Sequence, residues 1–196
     1  SSWWLAQAIE QLPVHYGLGG CGIVGTLGVG RMGALQHTGL TTPDPIRLQA
    51  ALAQMQRDGC GVCAIEASSI GLVEGRMAGS QIHTAIFTNF TQDHLDFHGD
   101  MASYWQAKAQ LFGWPQLQGA VINADDDKAA DLIAHCRARG VACWTYSLRS
   151  PADVYADNIS FGSAGASFAV HITGQRYAMT LPLYGHYNIS NVLGVL

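Results

Sequence analysis

The feature that most constrains the fold is the alternation of short, almost uninterrupted apolar runs with segments of helical periodicity. The apolar runs predict buried strands at residues 21–27, 61–67, 84–88, 119–123 and 141–146. Helical patterns lie at residues 45–57, 101–112 and 127–139. Strands that are apolar on both faces and separated by helices are typical of a parallel sheet covered by helices. The sequence therefore predicts an α/β fold with a mainly parallel sheet flanked by helices.

The two ends of the chain depart from this alternation. Apolar residues at helical spacing predict a first helix over residues 3–12, and Pro13 ends it. After Ser150, glycine-containing turns separate strand-like segments at residues 159–161, 166–173 and 175–183. These segments predict a small antiparallel add-on, and residues 184–196 are expected to enter a last helix.

Composition excludes several classes of protein. A chain of 196 residues with 48% hydrophobic and 12% charged residues can bury a large core. The net charge of −4 and the pI near 6.0 give no general attraction to nucleic acid. No apolar run is long enough to span a bilayer, so no membrane partner is expected. Five cysteines at irregular spacing fit a reducing cytoplasm better than a disulfide framework.

One lysine lies where a helix should be apolar. Asp100 is the expected N-cap of a helix whose apolar stripe includes Tyr104 and Phe112, and Lys108 falls within that stripe. A buried lysine loses its charge readily, and a neutral amine can do chemistry that an ammonium cannot. The alternative is that Lys108 extends past the aromatic residues to water.

Polar groups follow two of the predicted strands. Glu66 closes the apolar run that begins at residue 61. Residues 88–99, which follow the apolar run at 84–88, contain Asp93, His94, Asp96 and His98. Because ligands bind at the carboxyl ends of parallel strands, we expect the two clusters to meet at one edge of the sheet. A buried salt bridge is the alternative for Glu66.

Two further polar segments have a structural and a functional interpretation. Thr41 and Thr42 precede a helix that is expected to begin at Asp44-Pro45, so they could bind an anion or simply belong to an N-cap. The aspartates at 125–127 could bind magnesium, but capping of the next helix is favoured.

Several short motifs carry no function in their context. Two Gly-x-Gly-x-x-Gly strings begin at Gly20 and Gly28, but neither lies between a strand and a helix as a dinucleotide site requires. The glycines are expected to shape a loop instead. The chain contains no phosphate-loop motif. Cys60 and Cys63 form a single CxxC, which predicts buried thiols rather than zinc.

Taken together, these segments resemble the Mur ligases, the ATP-dependent amide-forming enzymes of peptidoglycan assembly. The closest match is the branch that adds the third residue of the stem peptide. The segments that carry the resemblance are residues 25–28, 41–44, 65–72 with Arg76, 87–99, 107–108, 123–126 and 185–191. They extend along essentially the whole chain in the family's order, and the Thr-Asn-x-x-x-Asp-His-Leu-Asp-x-His-Gly stretch is highly specific. Ile70 and Glu74 depart from the residues found in many or some relatives.

The resemblance implies roles for individual residues. The catalytic and magnesium-binding set would be Glu66, His94 and Lys108, with the lysine carbamylated by carbon dioxide. The residues that contact the UDP-linked muramoyl dipeptide would be Thr41, Thr42, Ser68 and Arg76. Adenine of ATP would be held by Asn191 and Asn188.

The resemblance also implies an activity and a domain arrangement. The enzyme would add diaminopimelate or lysine to UDP-MurNAc-L-Ala-D-Glu through an acyl phosphate, as a cytoplasmic monomer using Mg²⁺, ATP and the amino acid. Residues 1–196 would be the central ATP-binding domain, truncated at both ends. The phosphate loop and an N-terminal domain would precede it and a C-terminal domain would follow, so this fragment alone would be inactive.

Two alternatives remain open at this stage. Another Mur ligase or an enzyme of the folylpolyglutamate synthetase type would share the ATP machinery, although the dipeptide-binding set argues against the folate enzyme. A nucleotide-binding module without catalysis is the other alternative, and it has no need of Glu66, His94 and Lys108 together.

Overall fold

The computed structural model describes residues 1–196, with the side chain of Val14 left aside. Helices and strands alternate along most of the described chain. The helices are α1 (Ser2–Glu10), α2 (Pro45–Arg57), α3 (Ser69–Val73), α4 (Leu95–His98), α5 (Met101–Ala109), α6 (Ala129–Ala138) and α7 (His186–Leu193). The strands are β1 (Gly20–Gly25), β2 (Gly28–Arg31), β3 (Cys60–Ile65), β4 (Thr84–Phe87), β5 (Gly119–Asn123), β6 (Ala142–Ser147), β7 (Val154–Gly162), β8 (Gly165–Ile172) and β9 (Gln175–Leu181).

The strands form two sheets, and the chain divides into two compact units that each contain one of them. The first unit comprises Ser1–Ser80 and Gln92–Leu111, and its sheet has the order β2-β1-β3. The second comprises Gln81–Thr91 and Phe112–Leu196, and its sheet has the order β4-β5-β6-β7-β8-β9. Strand β1 is parallel to β3, and the second sheet is parallel from β4 to β7.

In the first unit, helix α1 packs on β1 and β3. The buried side chains of Ala6, Cys21, Ile23 and Ala64 form this small core. Helix α2 begins where its sequence predicts, because the Asp44 carboxylate accepts the backbone N–H groups of Ile46 and Arg47 at 3.1 and 3.0 Å. Capping and core packing together fix the loop that joins β2 to α2.

In the second unit, α6 packs on β5 and β6, and α7 packs on β6 and β7. The core between α7 and the sheet includes Tyr146, Phe168, Ile189 and Leu193, all at most 4% exposed. A Cβ atom on Gly194 would lie 3.0 Å from the Tyr146 ring, so glycine permits this close approach. Strands β7, β8 and β9 pair antiparallel and form the add-on that the sequence predicts.

The predicted fold class is confirmed, with differences in detail. The strands belong to two sheets rather than one, because strand partners are chosen by contacts between distant segments. Strand β2 was not predicted; it pairs antiparallel with β1 across the glycine-rich turn. Strand β7 begins at Val154 rather than at residue 159, since its first residues pair in parallel with β6.

The cysteines are free thiols, as the sequence predicts. Burial raises the pKa of Cys63 to about 12 and that of Cys21 to about 11, which keeps both protonated and unreactive at neutral pH. Within the described residues, no helix is long and apolar enough to cross a membrane.

Candidate active site

Glu66 lies just after β3, and both of its carboxylate oxygens are engaged. Oε1 accepts the Ser2 hydroxyl at 2.6 Å, while Oε2 accepts the backbone N–H and the hydroxyl of Thr26 at 3.1 and 3.0 Å. Burial opposes ionisation, but these hydrogen bonds outweigh it and place the pKa of Glu66 below its ordinary value. A Cβ on Gly25 would lie 2.7 Å from the Glu66 carboxyl carbon, so glycine makes room for the carboxylate. The Thr26 hydroxyl also lies 3.0 Å from that of Thr41.

Thr42 has no exposed surface, and its hydroxyl is fully used inside the protein. It donates to the backbone carbonyl of Glu66 at 2.7 Å and accepts the N–H and the hydroxyl of Ser68 at 3.1 and 3.0 Å. Ser68 in turn caps α3 by accepting the Gly71 N–H. The sequence-based assignment of the Thr42 hydroxyl as a substrate contact is therefore not supported. Thr42 instead fixes the segment between Glu66 and Ser68.

Arg76 is held in place on two sides. Its Nε and Nη2 lie 2.7 and 2.6 Å from Oε2 of Glu74, and Nη1 donates to the Thr42 carbonyl at 2.9 Å. The Arg76 side chain is 16% exposed and that of Glu74 is 44% exposed. A guanidinium has five N–H groups, so these contacts leave two that can reach a ligand. Glu74 thus orients Arg76 and partly offsets its charge.

His94 is the N-cap residue of the one-turn helix α4 and has a left-handed backbone conformation, with φ at 52°. Few residues other than glycine adopt this conformation, and such residues concentrate at functional sites. The Asp93 carboxylate accepts the His94 backbone N–H at 2.8 Å, and its other oxygen lies 3.5 Å from Nε2. The imidazole is 45% exposed, so it is open to a ligand.

Lys108 is half-buried in α5, and its Nζ lies 5.3 Å from the centre of the Tyr104 ring. Burial lowers the pKa of Lys108, while the charge of Asp93 acts in the opposite direction. The Tyr104 ring also meets the His94 ring edge-on, with centroids 6.2 Å apart. Lys108 and His94 therefore share one aromatic neighbour, which periodicity alone did not identify as part of the site.

The predicted site residues of the first unit form two groups. One group, linked by hydrogen bonds around the end of β3, consists of Glu66, Thr41, Thr42, Ser68 and Arg76. In the other group, His94 and Lys108 each contact the Tyr104 ring. The predicted meeting of Glu66 and His94 at one sheet edge was wrong, because β3 and β4 belong to different sheets. His94 nevertheless lies in the same compact unit as Glu66, since residues 92–111 pack with the first unit.

The donor atoms of Glu66, His94 and Lys108 limit the kind of metal site that they could form. Among the described residues, no three His, Cys, Asp or Glu side chains come together to hold a metal. A metal at Glu66 and His94 would therefore need oxygen ligands of another origin. A lysine whose pKa is lowered by burial can supply one, because its neutral amine can form a carbamate. In its buried setting, Lys108 has the chemistry that such a carbamate ligand requires.

The second unit has a cleft of about 760 Å³ beside α7. Its lining includes Asn191, Asn89, Arg149 and Tyr187. Asn188 is not among the lining residues, and its amide donates to the Tyr184 carbonyl at 2.8 Å. Of the two asparagines that were predicted to bind adenine, only Asn191 therefore lines the cleft.

The predicted capping role of the aspartates near α6 is not what the structure shows. The helix begins at Ala129, after Lys128. Asp126 accepts the backbone N–H groups of Phe90 and Lys128 at 2.7 and 2.9 Å, and Asp125 accepts the Leu148 N–H at 2.7 Å. These carboxylates join the loops that follow β4, β5 and β6 and so shape the wall of the cleft.

A family model described as the Mur ligase middle domain matches residues 2–196. The chain belongs to the Mur ligase family. It is 50% identical over its whole length to the UDP-N-acetylmuramoyl-L-alanyl-D-glutamate--2,6-diaminopimelate ligase of Acidovorax sp. (strain JS42) and covers 40% of that protein. The ligase of the same name from Ralstonia nicotianae is 43% identical, with 100% of the chain and 38% of the relative covered.

The solved structures include a close match to this Mur ligase domain. A UDP-N-acetylmuramoyl-L-alanyl-D-glutamate--2,6-diaminopimelate ligase superposes with a TM-score of 0.87 at 34% identity, covering 99% of this chain and 39% of that one. The chain spans about 40% of the length of the curated relatives it matches. The family and the fold inferred from the sequence are thus confirmed.

Proposed function

We propose that the protein carrying this chain is an ATP-dependent ligase that joins diaminopimelate to UDP-MurNAc-L-Ala-D-Glu in peptidoglycan precursor synthesis. The observation that carries the proposal is 50% identity along the whole chain to a ligase of that name. The lowered pKa of Lys108 and the nearby His94 give physical support, because they fit a site for phosphoryl transfer.

The reaction has two steps. A carboxylate oxygen of the dipeptide attacks the γ-phosphorus of ATP, the bond to the bridging oxygen breaks, and ADP leaves. The amine of diaminopimelate then attacks the acyl carbon, loses a proton, and expels inorganic phosphate. Charge on the transferring phosphoryl group is the main obstacle, so electrostatic stabilisation should supply most of the catalysis.

Lys108, Glu66 and His94 are the proposed catalytic set. Neutral Nζ of Lys108 attacks carbon dioxide, a nitrogen–carbon bond forms, and a proton is released to give an anionic carbamate. Glu66, kept ionised by hydrogen bonds from Ser2 and Thr26, and His94 would hold magnesium together with the carbamate. Bound magnesium would neutralise charge on the phosphate oxygens. The exposed ring of His94 follows from its place at the start of α4, where the backbone is left-handed.

The dipeptide is proposed to contact Thr41, Ser68 and Arg76. Arg76 offers two N–H groups to an anionic oxygen while Glu74 and the Thr42 carbonyl keep its guanidinium in position. Thr42 acts indirectly, by holding Ser68. Adenine is proposed to bind in the cleft of the second unit at Asn191, with Asn188 stabilising the start of α7.

The proposal is tested with the purified full-length protein, ATP, magnesium and UDP-MurNAc-L-Ala-D-Glu. Diaminopimelate, L-lysine and L-glutamate are supplied in separate reactions, and the nucleotide-linked product is identified by mass. We expect the tripeptide product with diaminopimelate at a kcat/KM at least about 100-fold above that with lysine, a ratio typical of sites that bind a polar group of the right substrate. ATP binding without any product would instead support the non-catalytic nucleotide-binding alternative.

A further inference from the structure

His98 links two helices that carry different parts of the proposed site. It is the last residue of α4, and its Nε2 lies 2.9 Å from the hydroxyl oxygen of Ser69. Ser69 is 2% exposed and is the first residue of α3, directly after Ser68. The contact therefore connects the segment of His94 with the helix that Ser68 caps.

The ring of His98 makes a second connection. It lies against Tyr104, with centroids 5.1 Å apart and ring planes at 30°. Tyr104 is the residue that also contacts the His94 ring and lies beneath Lys108 Nζ. One imidazole thus meets α3 through a hydrogen bond and α5 through an aromatic face.

We propose that His98 is a positioning residue of the ligase: it holds the start of α3, with Ser68, in register with the segment that presents His94 and Lys108. The inference rests on the proposed function for the roles of those three residues. The geometry itself involves Ser69, His98 and Tyr104, none of which is assigned to substrate or metal.

Helices α3 and α4 are short, which explains why a link between them through His98 is needed. Helix α3 has five residues and α4 has four, and helices this short have little stability of their own. Their placement therefore depends on contacts with other elements. Thr42 holds α3 from the side of β3 through Ser68, and His98 holds it from the side of α5. Helix α3 also packs directly on α5, and the His98 bond adds a fixed polar contact at its first residue. Without that bond, we expect the start of α3, with Ser68, to lose its fixed position relative to Lys108.

Three variants of the full-length protein distinguish the effect of the His98–Ser69 hydrogen bond from that of the packing of the His98 ring on Tyr104. His98→Phe keeps a ring on Tyr104 and removes the bond, Ser69→Ala removes it from the other side, and His98→Gln restores a polar atom near the position of Nε2. His15→Phe, at an exposed histidine that stacks on Tyr16, is the matched control.

The first readout is hydrogen exchange at the Leu72 amide, which donates to the Ser68 carbonyl within α3. We expect exchange about 10-fold faster in His98→Phe and Ser69→Ala, as loss of one hydrogen bond allows. His98→Gln and His15→Phe should match the wild type. Unchanged exchange in His98→Phe, or equal acceleration in His98→Gln, would overturn the inference whether or not the protein is a ligase.

The second readout is the kinetics of ligation. Loss of alignment should lower kcat about 10-fold in His98→Phe with little change in the KM for the dipeptide, because each binding element stays intact. The double variant Ser69→Ala/His98→Phe should be no worse than either single variant. If the losses of kcat add up in the double variant, Ser69 and His98 have independent roles, and the proposal is contradicted. A wild-type protein that makes no product would refute the proposed function alone, since the exchange result is independent of it.

Discussion

At the scale of single residues, Lys108 is unusual because it is a lysine on the inward-packing side of a helix. It lies in the part of α5 that packs inward, and burial lowers its pKa. Among the described residues, no carboxylate forms a salt bridge with the Lys108 ammonium, and the Tyr104 ring beneath it offers a cation–π contact. Its position in an apolar stripe is visible in the sequence. The shared contact with His94 through Tyr104 is not, because it depends on how α4 and α5 meet.

Replacement of Lys108 should abolish most of the ligase activity without unfolding the protein. We expect kcat to fall by about 100-fold or more in Lys108→Ala, as when one electrostatic group of a catalytic site is removed. Lys108→Arg should fail similarly, because a guanidinium stays protonated and forms no carbamate. Lys128→Ala, at the chain's other lysine, is the control, and circular dichroism checks the fold of each variant. Near-normal turnover in either Lys108 variant would exclude the carbamate.

Arg76 should affect one substrate selectively. Arg76→Ala removes the two N–H groups proposed to face the dipeptide, so its KM for UDP-MurNAc-L-Ala-D-Glu should rise about 10-fold, the size of one charged hydrogen bond. The KM for ATP should change far less. Arg47→Ala, at a guanidinium that is 70% exposed on α2, serves as the comparison. A larger effect on ATP than on the dipeptide would refute the assignment.

At the scale of elements, the shortest ones decide the geometry of the site. Periodicity predicts α2 and α5 well, and their caps at Asp44 and Asp100 are confirmed. It does not predict α3, α4 or β2, because four or five residues are too few to show a period. These elements are held by side chains such as Thr42, whose three hydrogen bonds span segments distant in sequence.

Thr42→Val tests how much that network stabilises the protein. The substitution keeps the shape of the side chain but leaves the Glu66 carbonyl and the Ser68 N–H without their buried partner. We expect the free energy of unfolding to fall by about 2 kcal/mol. Thr38→Val, which removes one exposed bond to the Leu40 carbonyl, should cost less than about 0.5 kcal/mol. Urea denaturation of both variants measures the difference, and equal costs would contradict the structural role of Thr42.

At the scale of the whole molecule, the chain contains two compact units. The first contains the residues proposed for the dipeptide and magnesium, and the second contains the cleft beside α7. The order of strands and helices along the chain was predictable, because each produces a local apolar pattern. Their division between two sheets was not, because hydrogen-bonded pairing joins segments that no local pattern relates.

The cleft should be where ATP binds. Asn191→Ala should weaken the binding of ATP about 10-fold, since one amide can make a pair of hydrogen bonds to adenine. Asn188→Ala should change the ATP dissociation constant less than Asn191→Ala does, because the Asn188 amide bonds to the Tyr184 carbonyl. Isothermal titration of ATP into both full-length variants makes the comparison. The reverse order of effects would place adenine on the other side of α7.

In the proposed mechanism, a carboxylate of the dipeptide is phosphorylated before the amide forms. UDP-MurNAc-L-Ala-D-Glu labelled with ¹⁸O in its D-glutamyl carboxylates tests it directly, because the acyl phosphate must leave with one of those oxygens. In a reaction of the full-length protein with ATP, magnesium and diaminopimelate, we predict one ¹⁸O atom in each inorganic phosphate released, measured by mass spectrometry. Unlabelled phosphate accompanying tripeptide formation would contradict the mechanism.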